Sequence, residues 1–182
     1  MPRDRWIFEG DAGMKTNVLV GVIVGLTELL LLWCMDVTGV LRSDLGARLL
    51  QFMLFVHALG LIVVMVRLRQ SEHTAGFPKL LAAGLMVSFL AALTAGMGVL
   101  FFLEFVEPGY LSWVIEETRQ DITDWPDDRR IEAEQQLAAT TPMVYASRGA
   151  IGYLLRGLLL SLLLAAVLRL QILRSASDLD GQ

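Results

Sequence analysis

Four long apolar segments stand out along the chain, separated by short polar stretches. An α-helix rises 1.5 Å per residue, so about 20 apolar residues are needed to cross a hydrocarbon core of roughly 30 Å. The pattern predicts four membrane-spanning helices, at 17–35, 49–66, 79–106 and 143–168. The third segment is longer than the bilayer core, so we expect it to tilt or to project beyond one surface.

The polar stretches divide the rest of the chain. Between the third and fourth spans, the amphipathic stretch 110–120 and a restart at Asp124–Pro126, with Asp124 as the cap, predict two short helices. Thr141 followed by Pro142 is typical of a helix start. The predicted organisation is an N-terminal segment 1–16, spans one to three within 17–106, an extramembrane acidic hairpin 107–142, span four within 143–170, and a tail 171–182. The fold class is therefore an all-α integral membrane four-helix bundle with a helical hairpin between spans three and four.

Composition agrees with a membrane protein and narrows the chemistry. Hydrophobic residues make up 55% of the chain and the mean hydropathy is +0.58, with the charges gathered into a few stretches. The single cysteine, Cys34, excludes an intrachain disulfide, a CxxC pair and a thiolate metal site. The first apolar segment is too long for the core of a cleavable signal peptide, so we expect it to be retained.

The distribution of lysine and arginine predicts the orientation. The N-terminus, the loop between spans two and three and the C-terminal tail together carry eight basic residues, and the other two loops carry five. Basic residues concentrate on the cytoplasmic side of membrane proteins. We therefore expect both termini in the cytoplasm and the acidic hairpin outside.

A few ionisable residues lie inside the predicted spans, where each costs about 2.5 kcal/mol or more unless it is compensated. Counted from the cytoplasmic ends, Glu28, His57 and Arg156 all lie about 14 to 18 Å deep. This similarity predicts a buried Glu28–Arg156 pair with His57 nearby, as an intramembrane polar layer. Glu104 and Arg148 form a second predicted pair nearer the outer face. These charges either hold the bundle together or bind protons or a substrate; the arginines could also snorkel or face a partner subunit.

Small residues recur at helical spacing in two spans. Gly21 and Gly25 form a GxxxG motif in span one, and Gly157, Ser161 and Ala165 repeat the spacing in span four. Such residues let helices approach closely. The motif is compatible with packing inside the chain or against another copy.

Sequence motifs for catalysis or cofactor binding are missing. The chain has no HExxH, CxxC, Walker A or GxSxG motif. A haem site in a bundle needs two axial ligands, but His57 is the only histidine in a span, since His73 falls in a loop. The basic residues form no nucleic-acid patch. We therefore expect no catalytic, cofactor or metal site and no nucleic-acid partner.

The second half of the chain carries a family resemblance. Its features are Gly76–Phe77 with Gly84, the stretch Glu107–Leu111, Thr141–Pro142, and Gly157 with a basic end at Arg169. With these features, the chain resembles the bacterial four-pass membrane proteins of domain of unknown function 4199, over about residues 15 to 170. The resemblance implies the same topology, in a bacterial inner membrane, and implies no activity. Arg148 and Arg156 are not expected from the family.

Three functions follow from these features. The first is a non-enzymatic structural or accessory subunit of a membrane assembly, as a homo-oligomer or within a larger complex in the bilayer. The second is a small proton-coupled carrier that uses Glu28, His57 and Arg156. The third, an enzyme or cofactor-binding protein, has no motif in its favour. A dry Glu28–Arg156 pair would favour the first function, and a cavity beside Glu28 would favour the second.

Overall fold

The computed structural model describes the backbone of residues 5–72 and 75–180, and side chains within 14–72 and 75–169 except those of residues 44 and 47. His73, the first four residues of the N-terminal segment and the last two of the tail lie outside the described residues. The predictions made for them are therefore not addressed by the structure.

Six α-helices and one π-helical segment form the described chain, and no strand is found in it. The elements are α1 (Arg5–Val37), α2 (Asp44–Ser71), α3 (Phe77–Phe101), the π segment (Phe102–Val106), α4 (Gly109–Asp121), α5 (Asp127–Ala138) and α6 (Pro142–Asp180). The predicted all-α class is confirmed.

Four of these helices are long and apolar enough to cross a membrane, which confirms the four predicted spans. The membrane-compatible parts are Met14–Val37, Arg48–Ser71, Phe77–Val106 and Pro142–Arg169. α1 and α6 continue beyond the predicted spans, because helical hydrogen bonding does not require apolar side chains. Large side chains such as Phe55 and Leu59, which are 67% and 62% exposed, cover the outer surface, as expected of helices that face lipid.

Local chemistry explains several helix ends. The Ser43 hydroxyl accepts the Gly46 N–H at 3.3 Å before α2, and the Thr141 hydroxyl accepts the Val144 N–H at 3.3 Å at the start of α6. The predicted Thr141–Pro142 start is thus confirmed. The predicted Asp124 cap is wrong, since Pro126 occupies the N-cap of α5 and no side chain caps that helix. Because α5 begins at Asp127, Asp124 lies two residues before the N-cap position from which a side chain caps a helix.

The π segment continues α3 with a wider turn. The Glu107 N–H donates to the Phe102 carbonyl at 2.8 Å, across five residues instead of four. The extra residue rotates the end of the helix, and Phe102 and Leu103 are buried while Glu104 and Phe105 are exposed. The predicted third span therefore ends in a different helical geometry from the one in which it starts.

α3 lies at the centre of the bundle and packs against α1, α2 and α6. Two groups of buried residues lie at the two ends of the bundle. At the end that we call the α4 end, residues of α4 pack on the bundle: the group comprises Leu32, Met35, Leu41, Phe102, Leu103, Tyr110 and Leu111. At the other end, which we call the far end, the group comprises Leu61, Val64, Met65, Leu80, Ala83, Val87 and Ala165.

The small-residue motifs lie at interfaces within the chain. A Cβ added at Gly21 would lie 2.9 Å from the Val87 carbonyl oxygen, and one at Gly25 would lie 2.8 Å from that of Ala91. Both contacts are on α3, so the GxxxG face of α1 packs there.

The motif of α6 also faces the interior. Gly157 lies against Ser88, Ser161 lies against Gly84, and Ala165 is fully buried among far-end residues. Close approach of α6 to α3 at this end therefore depends on these small side chains.

Candidate functional site

Glu28 is buried in the middle of the bundle, with 4% of its surface exposed. Its carboxylate accepts a hydrogen bond from the Tyr153 hydroxyl of α6. Within the described part of the chain, no ion pair joins Glu28 to Arg156, so the predicted pairing is corrected: the partner of the carboxylate is a neutral phenol. Similar depth did not bring Glu28 and Arg156 into contact, because depth says nothing about the direction in which a side chain leaves its helix.

His57 is also buried, and it joins the same group through Tyr153. Its Nε2 lies 3.0 Å from the Ser88 hydroxyl oxygen of α3. Its ring stacks on the Tyr153 ring with centroids 4.4 Å apart. Glu28, His57, Ser88 and Tyr153 thus form one connected group, which we call the polar layer. Each of the four spans contributes one of its members.

Gly157 makes the polar layer compact. A Cβ at this position would collide with the Ser88 side chain and would lie 3.0 Å from Cε1 of His57. Since Gly157 follows Tyr153 by four residues, it lies one helical turn further along the same face of α6. The absence of a side chain there lets α2, α3 and α6 meet beside the histidine.

A cavity of about 590 Å³ extends from the polar layer towards α4. Glu28, His57 and Tyr153 line one part of it, and Arg148 and Arg156 line it as well. The remaining wall is mostly apolar, and includes Leu29, Leu50, Met53, Val99, Phe102, Leu111 and Val114. Its volume falls within the range of roughly 300–1,000 Å³ typical of small-molecule sites.

The two arginines lie on the same helix, and neither has a counter-charge against it among the described side chains. Arg148 and Arg156 are eight residues apart, which separates them by about 12 Å along α6. Both are exposed, and in the part of the chain that the structure describes neither forms an ion pair. The predicted Glu104–Arg148 pair is therefore also corrected. Glu104 is exposed on the π segment and does not line the cavity, because the π turn rotates it away.

A different ion pair joins the loops at the α4 end. Arg42 donates to Glu107 at 2.8 Å, and its guanidinium lies 5.9 Å from the centre of the Trp113 ring. The contact ties the turn between α1 and α2 to the start of α4. Burial raises the pKa of the nearby Tyr110 to about 12, so its phenol stays neutral at physiological pH.

Ser88 and Tyr153 are the site residues that the sequence did not reveal. Both are neutral, so a search for charged residues inside spans passes over them. One signal was available: Tyr153 lies at the middle of its span, away from the membrane interface where tyrosine is common, and four residues before Gly157. Among the described residues, no group of three histidine, cysteine or acidic side chains is placed to hold a metal ion.

The arrangement combines groups that exchange protons with groups that attract anions. Carboxyl, phenol, imidazole and hydroxyl are in contact in the polar layer, and each can donate or accept a hydrogen bond. The arginines place two positive charges on the wall of the same cavity.

Comparison with known proteins yields one match. A family model described as "Protein of unknown function (DUF4199)" matches residues 19–169. No curated protein and no solved structure matches the chain.

Proposed function

Because the chain belongs to the DUF4199 family of proteins of unknown function, we propose its role from the geometry: a small proton-coupled membrane carrier that binds its ligand beside the polar layer. The observation that supports this role is the cavity of about 590 Å³ lined by Glu28, His57 and Arg156. An ionisable residue inside a membrane span is by default a candidate for a functional role.

The environment of Glu28 supports proton coupling. An ion pair with a cation would favour the charged form of a carboxyl group. The Glu28 carboxyl is hydrogen-bonded to a phenol and forms no ion pair in the described chain, so it lacks that stabilisation of its charged form. It also borders the cavity, so a proton has a route to it once water enters. His57 and Tyr153 extend the hydrogen-bonding group, and Arg148 and Arg156 are the charged side chains that face the cavity from α6.

A structural or accessory subunit is the second candidate. It is favoured by the exposed face where α3 passes into the π segment. There the rings of Phe101 and Phe105 lie tilted against each other with centroids 5.2 Å apart, beside the exposed Glu104. A second copy of the chain or another membrane protein would cover such a face. Both candidate roles are non-enzymatic.

We place the chain in the bacterial inner membrane with both termini in the cytoplasm. The bias of basic residues, eight against five, supports this orientation. α4 and α5 would then lie outside, and the cavity would lie nearer the external surface because it extends towards α4.

Cysteine accessibility tests the carrier role. In a Cys34→Ala background, Ala95→Cys places a thiol on the cavity wall, and Leu93→Cys places one on the lipid-facing side of α3 at nearly the same depth. The probe is a charged, membrane-impermeant methanethiosulfonate, which reacts with thiolates in water. We expect Ala95→Cys to react at least tenfold faster than Leu93→Cys, and from the outside.

Equal protection of both thiols would show a dry interior and would reject the carrier role. The same variants in inverted vesicles provide the control for sidedness. Faster labelling of Ala95→Cys from the cytoplasmic face would still support a water-accessible cavity but would contradict the proposed orientation.

A further inference from the structure

The cavity wall is apolar on one side and positively charged on another, and this difference limits the class of ligand that fits. Its wall is apolar between α2, α3 and α4, with Met53, Val99 and Leu111 as representative residues. Positive charge enters it only from α6, through Arg148 and Arg156, as far as the described lining shows. A ligand that satisfies both kinds of surface is apolar over most of its length and acidic at one end.

The arginines themselves are placed to bind an anion. Each lies inside the membrane-compatible part of α6, Pro142–Arg169, and neither has an ion-pair partner among the described side chains. An uncompensated arginine near the centre of a span, where Arg156 lies, costs about 2.5 kcal/mol or more. Glu28, the acid closest to Arg156 in predicted depth, is bonded to Tyr153 instead, which leaves the guanidinium available to a bound group.

We propose that the cavity binds an anionic amphiphile, with its carboxylate or phosphate held by Arg156 and Arg148 and its apolar body lying between α2, α3 and α4. The inference rests on the proposed function, since it assumes that the cavity is a ligand site. Guanidinium binds carboxylate and phosphate in a two-pronged geometry that an ammonium group does not reproduce. The two arginines leave α6 about 12 Å apart along its axis, and both side chains are long enough to reach towards one head group lying between them.

The experiment uses the full chain in phosphatidylcholine nanodiscs and a fatty acid with a photoreactive diazirine on its chain as the probe. After irradiation, labelled peptides are mapped by mass spectrometry. We expect label at Met53 and Val99 on the cavity wall and little at Phe55, which is 67% exposed on the lipid-facing side of α2. Palmitate should compete with the probe, and hexadecylamine of the same chain length should not.

Variants test the head-group contact. Arg156→Gln and Arg148→Gln should each reduce labelling about tenfold, as expected for loss of one charge-assisted hydrogen bond. Arg156→Lys should retain part of it, which separates lost binding from lost folding. Arg129→Gln is the matched control, because this exposed arginine of α5 lies outside the cavity lining.

The outcomes are distinct from those of the thiol experiment. Competition by hexadecylamine as strong as by palmitate, labelling of Phe55 as strong as of Met53, or unchanged labelling of Arg156→Gln would overturn the proposal. Each would leave the carrier role intact if Ala95→Cys reacts with the aqueous reagent. Both remaining outcomes would support an anionic ligand. Stronger competition by phosphatidic acid than by palmitate would identify the anion as a lipid head group, and stronger competition by palmitate would identify it as a free acid.

Discussion

The two ends of the bundle are built from the same four helices but differ in the side chains that α6 presents to the interior. At the far end α6 presents Gly157, Ser161 and Ala165 to α3, and the buried group around Leu61 and Leu80 is fully enclosed. At the α4 end Ala150 of α6 still packs against Gly96 of α3, but the helix also presents Tyr145, Arg148 and Tyr153, and a cavity of about 590 Å³ remains. The larger side chains of α6 therefore occur where the interior is open, and its smallest ones where the interior is closed.

The polar layer lies at the boundary between these two regions. Gly157 allows close packing on its far-end side, and the Tyr153 ring begins the more open part on the other. A polar group placed there can stabilise the bundle through its hydrogen bonds and still border the cavity. This position separates the polar layer from an ordinary buried hydrogen-bond network.

The largest loss of stability should come from placing a large side chain at Gly157, at the boundary between the closed and open regions. Gly157→Leu forces a side chain into Ser88 and His57, and we expect it to lower the free energy of unfolding by about 3 kcal/mol or more, at the upper end of overpacking effects. Gly152→Leu on the same helix is the control, because a Cβ there meets nothing within 4 Å. Unfolding in mixed micelles with increasing dodecyl sulfate, followed by circular dichroism, measures both. Equal losses in the two variants would contradict the boundary role of Gly157.

Removal of the Tyr153 hydroxyl, which joins α6 to α1 through Glu28, should cause an intermediate loss of stability. Tyr153→Phe leaves the Glu28 carboxyl without its hydrogen bond, and we expect a loss of about 2 kcal/mol in unfolding free energy. Tyr145→Phe is the matched control, since its hydroxyl has no hydrogen bond within the described chain and it lines the same cavity. In a Glu28→Leu background, which removes the acceptor, the cost of Tyr153→Phe should fall by more than ~0.5 kcal/mol, as expected of contacting residues. A strictly additive double variant would argue against the contact.

The two buried serines of the interior should give the smallest effect, with opposite outcomes. Ser88→Ala removes the partner of His57 and should cost about 1 kcal/mol. Ser161 is equally buried at the far end, but its hydroxyl has no hydrogen-bond partner in the described structure. Ser161→Ala should therefore be neutral or slightly stabilising, since it removes a buried, unsatisfied polar group. The same unfolding assay tests the pair, and a larger loss for Ser161→Ala than for Ser88→Ala would reverse this assignment.

The sequence by itself determined the number of spans, their approximate ends and the class of fold. Long apolar runs and the Thr141–Pro142 start are local signals, and the structure has helices where they predict them. Family membership over residues 19–169 was also evident from local features of the second half. Depth along each span follows from counting residues, so the sequence alone predicts Glu28 and His57 as polar residues of the interior, and both are buried.

The tertiary structure decided which side chains meet. In a soluble helix the polar face shows which side is exposed, but in a membrane span the lipid-facing and interior sides are both apolar, so the pattern does not fix the rotation of the helix. Glu28 therefore contacts Tyr153 rather than Arg156, and the π turn directs Glu104 away from Arg148. The cavity likewise depends on the separation of α2 and α6, a distance that no single segment encodes. Depth is a property of one helix, whereas contact is a property of two.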